Sequence, residues 1–402
     1  MKEGNEMDAA VAGTRGRRAP DVHSFDPPRR ILMGPGPSDV HERVSRAMSR
    51  PTIGHLDPEF VRMMDELKEL LRYVFQTANR VTFPISGPGS LGMETCFVNL
   101  VEPGDAVLVC RNGVFGGRQR ENVTRCGGVP VVVDDEWGAP VSLEKVAAAL
   151  AAHPEIRIVS FVHAETSTGV LSDGAAIAAL AHEHDALVIA DTVTSLGGCP
   201  VLVDEWQFDA AYSGSQKCLS STPGLSPVSF GERALEKVRL RTSTCQSWFM
   251  DLGLVLPYWE GGTRTYHHTA PVNPLYGLHE ALVMVAEEGL EAAWHRHAAN
   301  HAALVSGLEA MGLRMLVNET HRVPQLNAVC VPEGVDDGWV RREALSRYGL
   351  EIGNGLGVLA GKVWRIGLMG SASSIENVHL CLQVLEELLG EADEGVSSSP
   401  GS

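Results

Sequence analysis

The sequence predicts an α/β fold in which helices flank a mostly parallel β-sheet, with a smaller α+β domain after it. Short β-branched strand patterns alternate with amphipathic helical patterns through the first two thirds of the chain. Such strand–helix–strand repeats are typical of parallel sheets. After about residue 274 the pattern changes to a long helical region followed by shorter strands and helices. The two patterns together predict two domains of unequal size.

Four strands and two helices are predicted in the first domain. The strands are AVLVC (106–110), VPVVV (129–133), RIVSFVH (157–163) and ALVIA (186–190). One helix opens at Ser142, and the other follows Ser172 and Asp173. Ligands of such sheets bind beyond the carboxyl ends of the strands, so residues just after a strand are the candidates for a site.

Apolar residues recur at three- and four-residue intervals from 274 to 311, which predicts a long helix. Short strands at 327–331 and 363–366 and helices at 339–347 and 375–389 follow it. We therefore expect a large domain over residues 26–285 and a small domain over residues 286–390. The two ends, 1–25 and 391–402, lack such patterns, and we expect them to be mobile.

Charge and composition exclude several classes of function. The 33 Lys and Arg against 50 Asp and Glu give a net charge of −17, which argues against nucleic acid or an anionic membrane as a partner. No apolar run approaches the roughly 18 residues that a membrane helix needs, and no apolar stretch follows the N-terminal basic residues, so no secretory signal is expected. Eight scattered cysteines without metal-ligand spacing predict a cytoplasmic enzyme with reduced thiols and no metal.

Three polar segments follow strand patterns and are candidates for one site. Asp191 either caps a following helix or pairs with a buried cation such as a protonated pyridine nitrogen. Lys217 is either a solvated loop residue or a partly buried lysine with a lowered pKa that forms a Schiff base. The turn SGPGS (86–90) leads into a helical stretch, and N–H groups at a helix N-terminus cradle phosphate.

Seven motifs extend this pattern over most of the chain. They are GPGP (34–37), YVFQT (73–77), EPGD (102–105), TSTGV (166–170), SGSQK (213–217), YHHT (266–269) and RIG (365–367). In order and spacing, the chain resembles the class V, fold-type I, pyridoxal-phosphate aminotransferases, and most of all their alanine–glyoxylate and serine–glyoxylate group. The resemblance covers about residues 32–389. It implies the seven-stranded sheet of fold-type I enzymes and pyridoxal 5′-phosphate as cofactor.

The resemblance also implies a role for each matching residue. Lys217 matches the lysine that forms the Schiff base and moves the proton, and Asp191 matches the carboxylate that keeps the pyridine nitrogen protonated. Phe115 matches the aromatic residue stacked on the ring, and Arg365 matches the arginine that holds the substrate carboxylate in a bidentate contact. The other implied cofactor contacts are Thr166 near the phenolic oxygen, Val193 on the opposite ring face, and Gly89, Ser90 and Gln216 at the phosphate.

Further positions concern the neighbouring subunit and the phosphate. Tyr266 and Thr269 match residues that reach the phosphate from the neighbouring subunit, so the resemblance implies a homodimer with shared active sites. Pro88 departs from the family, which often has a hydroxyl residue there, and so removes one side-chain donor and one backbone donor to the phosphate. The adjacent His267 and His268 are predicted to pack in the loop or near the phosphate and not to bind a metal.

The implied reaction is ping-pong transamination from a small amino acid, alanine or serine, to a glyoxylate-like 2-oxo acid. Aminoethylphosphonate and ureidoglycine aminotransferases are alternatives within the group. A cysteine desulfurase would usually have His where this chain has Gln216, and it would have a reactive cysteine on a late loop. The late cysteines of this chain, Cys330 and Cys381, lie instead in a predicted strand and a predicted helix. A catalytically retired cofactor-binding protein is the alternative from another class, and the complete set of catalytic residues argues against it.

Overall fold

The computed structural model describes residues 19–260 and 264–397, with side chains described up to residue 392. Residues 1–18 and 398–402, which belong to the two ends predicted to be mobile, lie outside the described residues. Residues 19–30 are exposed and contain neither helix nor strand.

Helices and strands alternate through most of the described chain. The strands are β1 (Ile31–Leu32), β2 (Val81–Ile85), β3 (Ala106–Arg111), β4 (Val129–Asp134), β5 (Ile156–Val162), β6 (Ala164–Glu165), β7 (Val170–Leu171), β8 (Leu187–Asp191), β9 (Ala210–Tyr212), β10 (Ser226–Phe230), β11 (Leu326–Cys330), β12 (Leu350–Glu351), β13 (Gly353–Asn354) and β14 (Val363–Gly367). The α-helices are α1 (Glu42–Met48), α2 (Pro58–Phe75), α3 (Gly89–Leu100), α4 (Val114–Arg125), α5 (Leu143–Ala152), α6 (Gly174–Glu183), α7 (Glu232–Arg239), α8 (Leu252–Trp259), α9 (Val272–Glu288), α10 (Leu290–Ala310), α11 (Asp337–Tyr348) and α12 (Ile375–Ser397).

A seven-stranded sheet forms the centre of the larger part of the molecule. Its strand order is β2-β10-β9-β8-β5-β3-β4. All neighbouring pairs are parallel except those that β10 makes with β2 and β9, which are antiparallel. The predicted α/β class with a mostly parallel sheet is therefore confirmed. The antiparallel strand β10 was not foreseen.

A second, smaller sheet with order β11-β14-β13 is antiparallel and lies beside α10, α11 and α12. Its residues belong to a hydrophobic core of their own, which includes Trp364 and Leu385, whereas the main sheet shares a core that includes Phe83 and Ile189. Met33, from the beginning of the described chain, packs in the smaller core. Two cores thus form around two sheets.

Two helix boundaries differ from the sequence prediction. The long helix predicted over 274–311 is divided into α9 and α10 at Gly289, whose φ of +84° is incompatible with a continuous right-handed helix. The last helix, predicted to end at residue 389, continues to Ser397, because the residues after it include good helix formers such as Glu391 and Ala392. None of the described helices has both the length and the hydropathy needed to cross a membrane.

Candidate active site

The candidate residues lie at one edge of the main sheet. Asp191 is the last residue of β8, Lys217 lies in the loop after β9, and Thr166 follows β5 and the short β6. Gly89 opens α3 directly after β2 and its turn. Because the carboxyl ends of neighbouring parallel strands meet at one edge, these segments converge there.

Asp191 is buried and held by hydrogen bonds to both carboxylate oxygens. The Val193 amide donates to Oδ1 at 2.9 Å, and the Tyr212 hydroxyl donates to Oδ2 at 2.8 Å. Burial raises the pKa of the Asp191 carboxyl to about 7, against the opposing effect of these two hydrogen bonds. Turns and coil follow Asp191, so the interpretation of this residue as a helix cap is wrong.

Lys217 is also buried, with 8% of its surface exposed, so the interpretation of a solvated loop lysine is wrong. Burial and then the positive charge of Arg365 lower the pKa of its amine to about 8. Its Nζ donates a hydrogen bond to the carbonyl of Pro35. Gly36 has a φ of +109°, and a Cβ at this position would lie 2.6 Å from Lys217 Nζ, which explains a glycine within the GPGP motif.

The GPGP segment is tied to the lysine loop by Ser38. The Ser38 amide donates to the Gln216 carbonyl at 2.9 Å, and its hydroxyl donates to the Lys217 carbonyl at 2.8 Å. The backbone on both sides of the lysine side chain is therefore fixed, while its amine remains at the sheet edge.

Arg365, in β14, brings a buried positive charge from the smaller sheet to the same place. Its Nε donates to the Asn354 carbonyl at 2.7 Å and its Nη1 to the Thr166 carbonyl at 3.1 Å. Within the described residues the Arg365 guanidinium forms no ion pair with a carboxylate. Burial lowers the pKa of the guanidinium to about 10, and the negative charge of Glu165 opposes this shift. A buried guanidinium with five donors and two carbonyl partners suits an anionic ligand.

The N-termini of α3 and α4 differ in how their first N–H groups are used. At α4 the Glu165 carboxylate accepts from the Phe115 amide at 3.1 Å, and the Ser167 hydroxyl accepts from the Val114 amide at 3.0 Å. At α3 the N-cap residue is Pro88, and within the described chain no side chain caps this end. An uncapped helix N-terminus that packs against the loops after β8 and β9 can bind a phosphate.

The other predicted cofactor contacts surround these groups. A Cβ on Gly89 would lie 3.5 Å from both Val193 Cγ2 and the Ser213 carbonyl, so α3 packs closely against the loops after β8 and β9. Among the other predicted contacts, Ser90 is exposed in the first turn of α3 and Phe115 is half-buried in α4. The hydroxyl groups of Thr166 and Thr194 form a hydrogen bond with each other. Gln216 Oε1 is buried and has no hydrogen-bond partner in the described chain.

Tyr266 and Thr269 lie on the surface of the chain. Both are exposed, and neither side chain makes a hydrogen bond within the described residues. The adjacent histidines contact other segments: the His267 ring stacks on Trp248 at 4.6 Å, and His268 Nε2 lies 2.7 Å from the hydroxyl of Ser86, in the turn before α3. No group of three potential metal ligands is assembled among the residues that the structure describes.

Three buried residues of the site were missed by the sequence prediction. Tyr212 and Gln119 form hydrogen bonds that lead to Asp191, and Glu165 holds the start of α4. Tyr212 and Glu165 immediately precede two quoted motifs, SGSQK and TSTGV, so their positions were available as a signal. Gln119 stands four residues after Phe115, a spacing that places both on one face of a helix.

The chemistry of the site determines the class of protein. A buried amine with a pKa of about 8 can attack an aldehyde, and a buried carboxylate can pair with a protonated ring nitrogen. Pyridoxal phosphate carries an aldehyde, a ring nitrogen and a phosphate, and the uncapped start of α3 fits the phosphate. Fold and site together define a fold-type I pyridoxal-phosphate enzyme. The chain belongs to the class V aminotransferases, whose family model, Aminotransferase class-V, matches residues 38–370.

Relatives of known activity share most of the chain. An alanine–glyoxylate aminotransferase of Drosophila melanogaster is 40% identical over 376 residues, covering 92% of this chain and 95% of the fly protein. The (S)-ureidoglycine–glyoxylate transaminase of Bacillus subtilis is 38% identical over 389 residues, covering 92% of this chain and 93% of that protein. The crystal structure of an alanine–glyoxylate aminotransferase from Nostoc sp. has a TM-score of 0.90 and 44% identity, covering 92% of this chain and 97% of that one. This chain is therefore a pyridoxal-phosphate-dependent aminotransferase.

Proposed function

We propose that the protein transfers the amino group of a small amino acid, alanine or serine, to glyoxylate or a similar 2-oxo acid in a ping-pong reaction. The observation that carries this proposal is the buried guanidinium of Arg365, which has no carboxylate partner in the described chain and lies close enough to Lys217 to lower its pKa. An amino acid and a 2-oxo acid share the carboxylate that such a guanidinium binds. The names of the fly, Nostoc and Bacillus relatives support glyoxylate as the acceptor.

When bound, pyridoxal phosphate supplies an aldehyde carbon and an electron-withdrawing ring. Lys217 would hold the aldehyde carbon before substrate binds and, once displaced by the substrate amine, would move a proton to and from the substrate Cα, a role that a pKa of about 8 suits near neutral pH. Asp191 would keep the ring nitrogen protonated, and Arg365 would orient the substrate carboxylate so that the Cα–H bond faces Lys217.

The remaining residues hold the cofactor in place. Phe115 and Val193 would contact the two faces of the ring, and Thr166 would contact the phenolic oxygen. Gly89, Ser90 and Gln216 would bind the phosphate together with the start of α3. The buried Oε1 of Gln216, which lacks a partner in the described chain, supports this assignment, because rotation of the amide would present its NH₂ group to the phosphate instead.

Ureidoglycine is the second candidate donor, since the Bacillus relative is nearly as similar as the fly relative. A cysteine desulfurase is disfavoured by its requirement for an accessible thiolate. Cys381 is fully buried in α12, where burial raises the pKa of its thiol to about 12, and Cys330 is half-buried in β11.

A donor and acceptor screen tests the proposed substrates. L-alanine added to the holoenzyme is expected to change the visible absorbance of the cofactor and to release one pyruvate per site, and glyoxylate is expected to restore the absorbance and form glycine. Ureidoglycine is the comparison donor, and Lys217→Ala is the inactive control. The proposal fails if neither alanine nor serine changes the absorbance, and a response to ureidoglycine alone would assign the second candidate.

We also propose a homodimer in which Tyr266 and Thr269 complete the phosphate site of the partner. Their exposure and their lack of hydrogen bonds within the described chain support this arrangement. Closed two-fold dimers are the commonest assemblies of soluble proteins.

Subunit mixing tests the shared site. Lys217→Ala protein and a Tyr266→Ala/Thr269→Ala double variant are each expected to be nearly inactive. In the hybrid dimer one site has both defects and the other has none, so co-refolding should restore about a quarter of the wild-type activity. An absence of recovery in hybrids that do form would show that the sites are not shared.

Domain division and location follow as proposals. Two hydrophobic cores support a division into a large domain, proposed over 26–285, and a small one, proposed over 286–390, although Met33 packs in the smaller core and Leu290 in the larger one. The free state of all eight cysteines supports a cytoplasmic enzyme. The net charge of −17 favours small-molecule substrates over nucleic acid or an anionic membrane as partners.

A further inference from the structure

A buried row of hydrogen bonds leads from α4 to the carboxylate of Asp191. The Gln119 side-chain nitrogen lies 3.0 Å from the Phe161 carbonyl and 3.1 Å from the Tyr212 hydroxyl, and this hydroxyl lies 2.8 Å from Asp191 Oδ2. Gln119 and Tyr212 have no exposed surface, and Asp191 is 2% exposed. Neither Gln119 nor Tyr212 has a role in the proposed reaction described so far.

The Phe161 carbonyl fixes the direction of this row. A carbonyl can only accept, so the group of Gln119 that faces it must be the NH₂ group and not the oxygen. The same NH₂ group then donates to the Tyr212 oxygen. The single proton of the Tyr212 hydroxyl is therefore left to donate to Asp191, so the hydrogen bonds from Gln119 to Tyr212 and from Tyr212 to Asp191 both point towards the carboxylate.

The charged and titratable groups around Asp191 do not hold it ionised by themselves. Lys217 favours the charged form, but Glu165, another buried carboxylate, opposes it. The neighbouring Cys96 thiol is buried and neutral, since burial and the charge of Asp191 both raise its pKa. The hydrogen bonds from Val193 and Tyr212 thus favour the carboxylate against its burial more than the charge of Lys217 does.

Helix α4 carries both Gln119, which begins the row of hydrogen bonds, and Phe115, the aromatic residue proposed to stack on the cofactor ring. Phe115 and Gln119 lie one turn apart on one face of α4. The start of this helix is fixed by Glu165, whose carboxylate accepts from the amides of Phe115 and Gly116 at 3.1 and 3.4 Å. A ring stacked on Phe115 would therefore have a fixed relation to the carboxylate that Tyr212 holds.

We infer that Tyr212, itself oriented by Gln119, is a positioning residue that keeps Asp191 ionised and aimed at the nitrogen of the cofactor ring. The inference rests on the proposed function, because it assigns Asp191 to that nitrogen. Tyr212 acts through Asp191 and contacts neither cofactor nor substrate. Its contribution depends on the positive charge at the ring nitrogen, and a merely structural tyrosine would contribute equally with or without that charge.

A comparison of two cofactors separates these roles. The full-length apo-proteins of wild type, Tyr212→Phe and Gln119→Met are titrated with pyridoxal phosphate and with its carbocyclic analogue, in which a C–H group replaces the ring nitrogen. Tyr73→Phe is the matched control, because its hydroxyl accepts from the Leu290 amide at 3.2 Å, away from the site. Dissociation constants are measured from the visible absorbance and from tryptophan fluorescence.

Tyr212→Phe is expected to bind pyridoxal phosphate about tenfold more weakly, the effect of one hydrogen bond to a charged group. Its affinity for the carbocyclic analogue should stay within about twofold of wild type, because no ion pair is present there to lose. Gln119→Met should also lose affinity for pyridoxal phosphate but not for the analogue, and its loss should be smaller than that of Tyr212→Phe. Tyr73→Phe should bind both cofactors as tightly as wild type. If Tyr212→Phe fails to fold, Gln119→Met tests the inference in its place, through weaker binding of pyridoxal phosphate with unchanged binding of the analogue.

Two results would overturn the inference: unchanged affinity of both variants for pyridoxal phosphate, or an equal loss with both cofactors. In either case wild type still binds the cofactor, and the proposed function stands. Wild-type protein that binds pyridoxal phosphate without a visible band would instead refute the proposed function, and the inference with it.

Discussion

Lys217→Ala protein will lose essentially all transamination, and we expect this to be the largest effect of any single substitution. The alanine side chain cannot hold the aldehyde carbon of the cofactor or move the proton at the substrate Cα. Loss of a general acid–base group alone typically costs about 10²–10⁴-fold in rate. The measurement is pyruvate formation from L-alanine and glyoxylate under saturating cofactor.

The matched control is Lys145→Ala, since Lys145 lies on the surface and its Nζ contacts Asp135 at 2.7 Å. The Lys145 side chain is 54% exposed and has no part in the proposed reaction, so this variant should retain wild-type turnover. Retention of more than about a tenth of the wild-type rate in Lys217→Ala would contradict the general acid–base role.

The pH dependence of cofactor capture follows from the same lysine. A neutral amine attacks the aldehyde, and burial with the charge of Arg365 lowers the pKa of Lys217 to about 8 in the protein without cofactor. The rate of appearance of the visible band should therefore rise about tenfold per pH unit below 8 and level off above it, where the amine is already neutral. An unshifted lysine would instead give a rise that continues towards pH 10, which stopped-flow absorbance distinguishes.

The sequence predicted site residues at or soon after the end of a strand. Asp191 ends β8 and Lys217 lies in the loop after β9, and a parallel sheet brings such positions to one edge whatever the details of packing. Tyr212 and Gln119 could not be found in this way, because their contacts cross between elements and depend on how α4 packs on the sheet. The geometry that selects them is tertiary.

The limits of the fold prediction have similar causes. The apolar period continues across Gly289, so the pattern alone predicted one helix where a positive φ makes two. Antiparallel β10 is buried along its whole length and contains Ser226, Pro227 and Ser229, so it lacks the alternation of apolar and polar residues that would have indicated an antiparallel strand. The local sequence pattern thus predicts whether a segment is a helix or a strand better than it predicts the direction of a strand in the sheet or the residue at which a helix ends.

Arg365→Leu protein will lose discrimination between substrates with and without a carboxylate. Arg365 uses Nε and Nη1 for the carbonyls of Asn354 and Thr166, which fixes the guanidinium plane and leaves other donors for the substrate. Two hydrogen bonds to a charged group contribute about 1.5–3 kcal/mol each, so kcat/KM for L-alanine should fall about 10²–10⁴-fold. The rate with ethylamine, which has no carboxylate, should barely change.

Arg365→Lys separates charge from shape at the same position. Lysine keeps the positive charge but can neither span the two carbonyls nor bind a carboxylate through two parallel N–H groups. Its kcat/KM for L-alanine should fall between those of wild type and Arg365→Leu, mainly through a higher KM. Arg125→Lys is the control, because Arg125 is 75% exposed and pairs with Glu121 on the surface of α4. The ratio of kcat/KM for L-alanine to kcat/KM for ethylamine could instead be the same in wild type and Arg365→Leu. That result would show that another group binds the substrate carboxylate, and the role of Arg365 would then be limited to its hydrogen bonds with the two carbonyls.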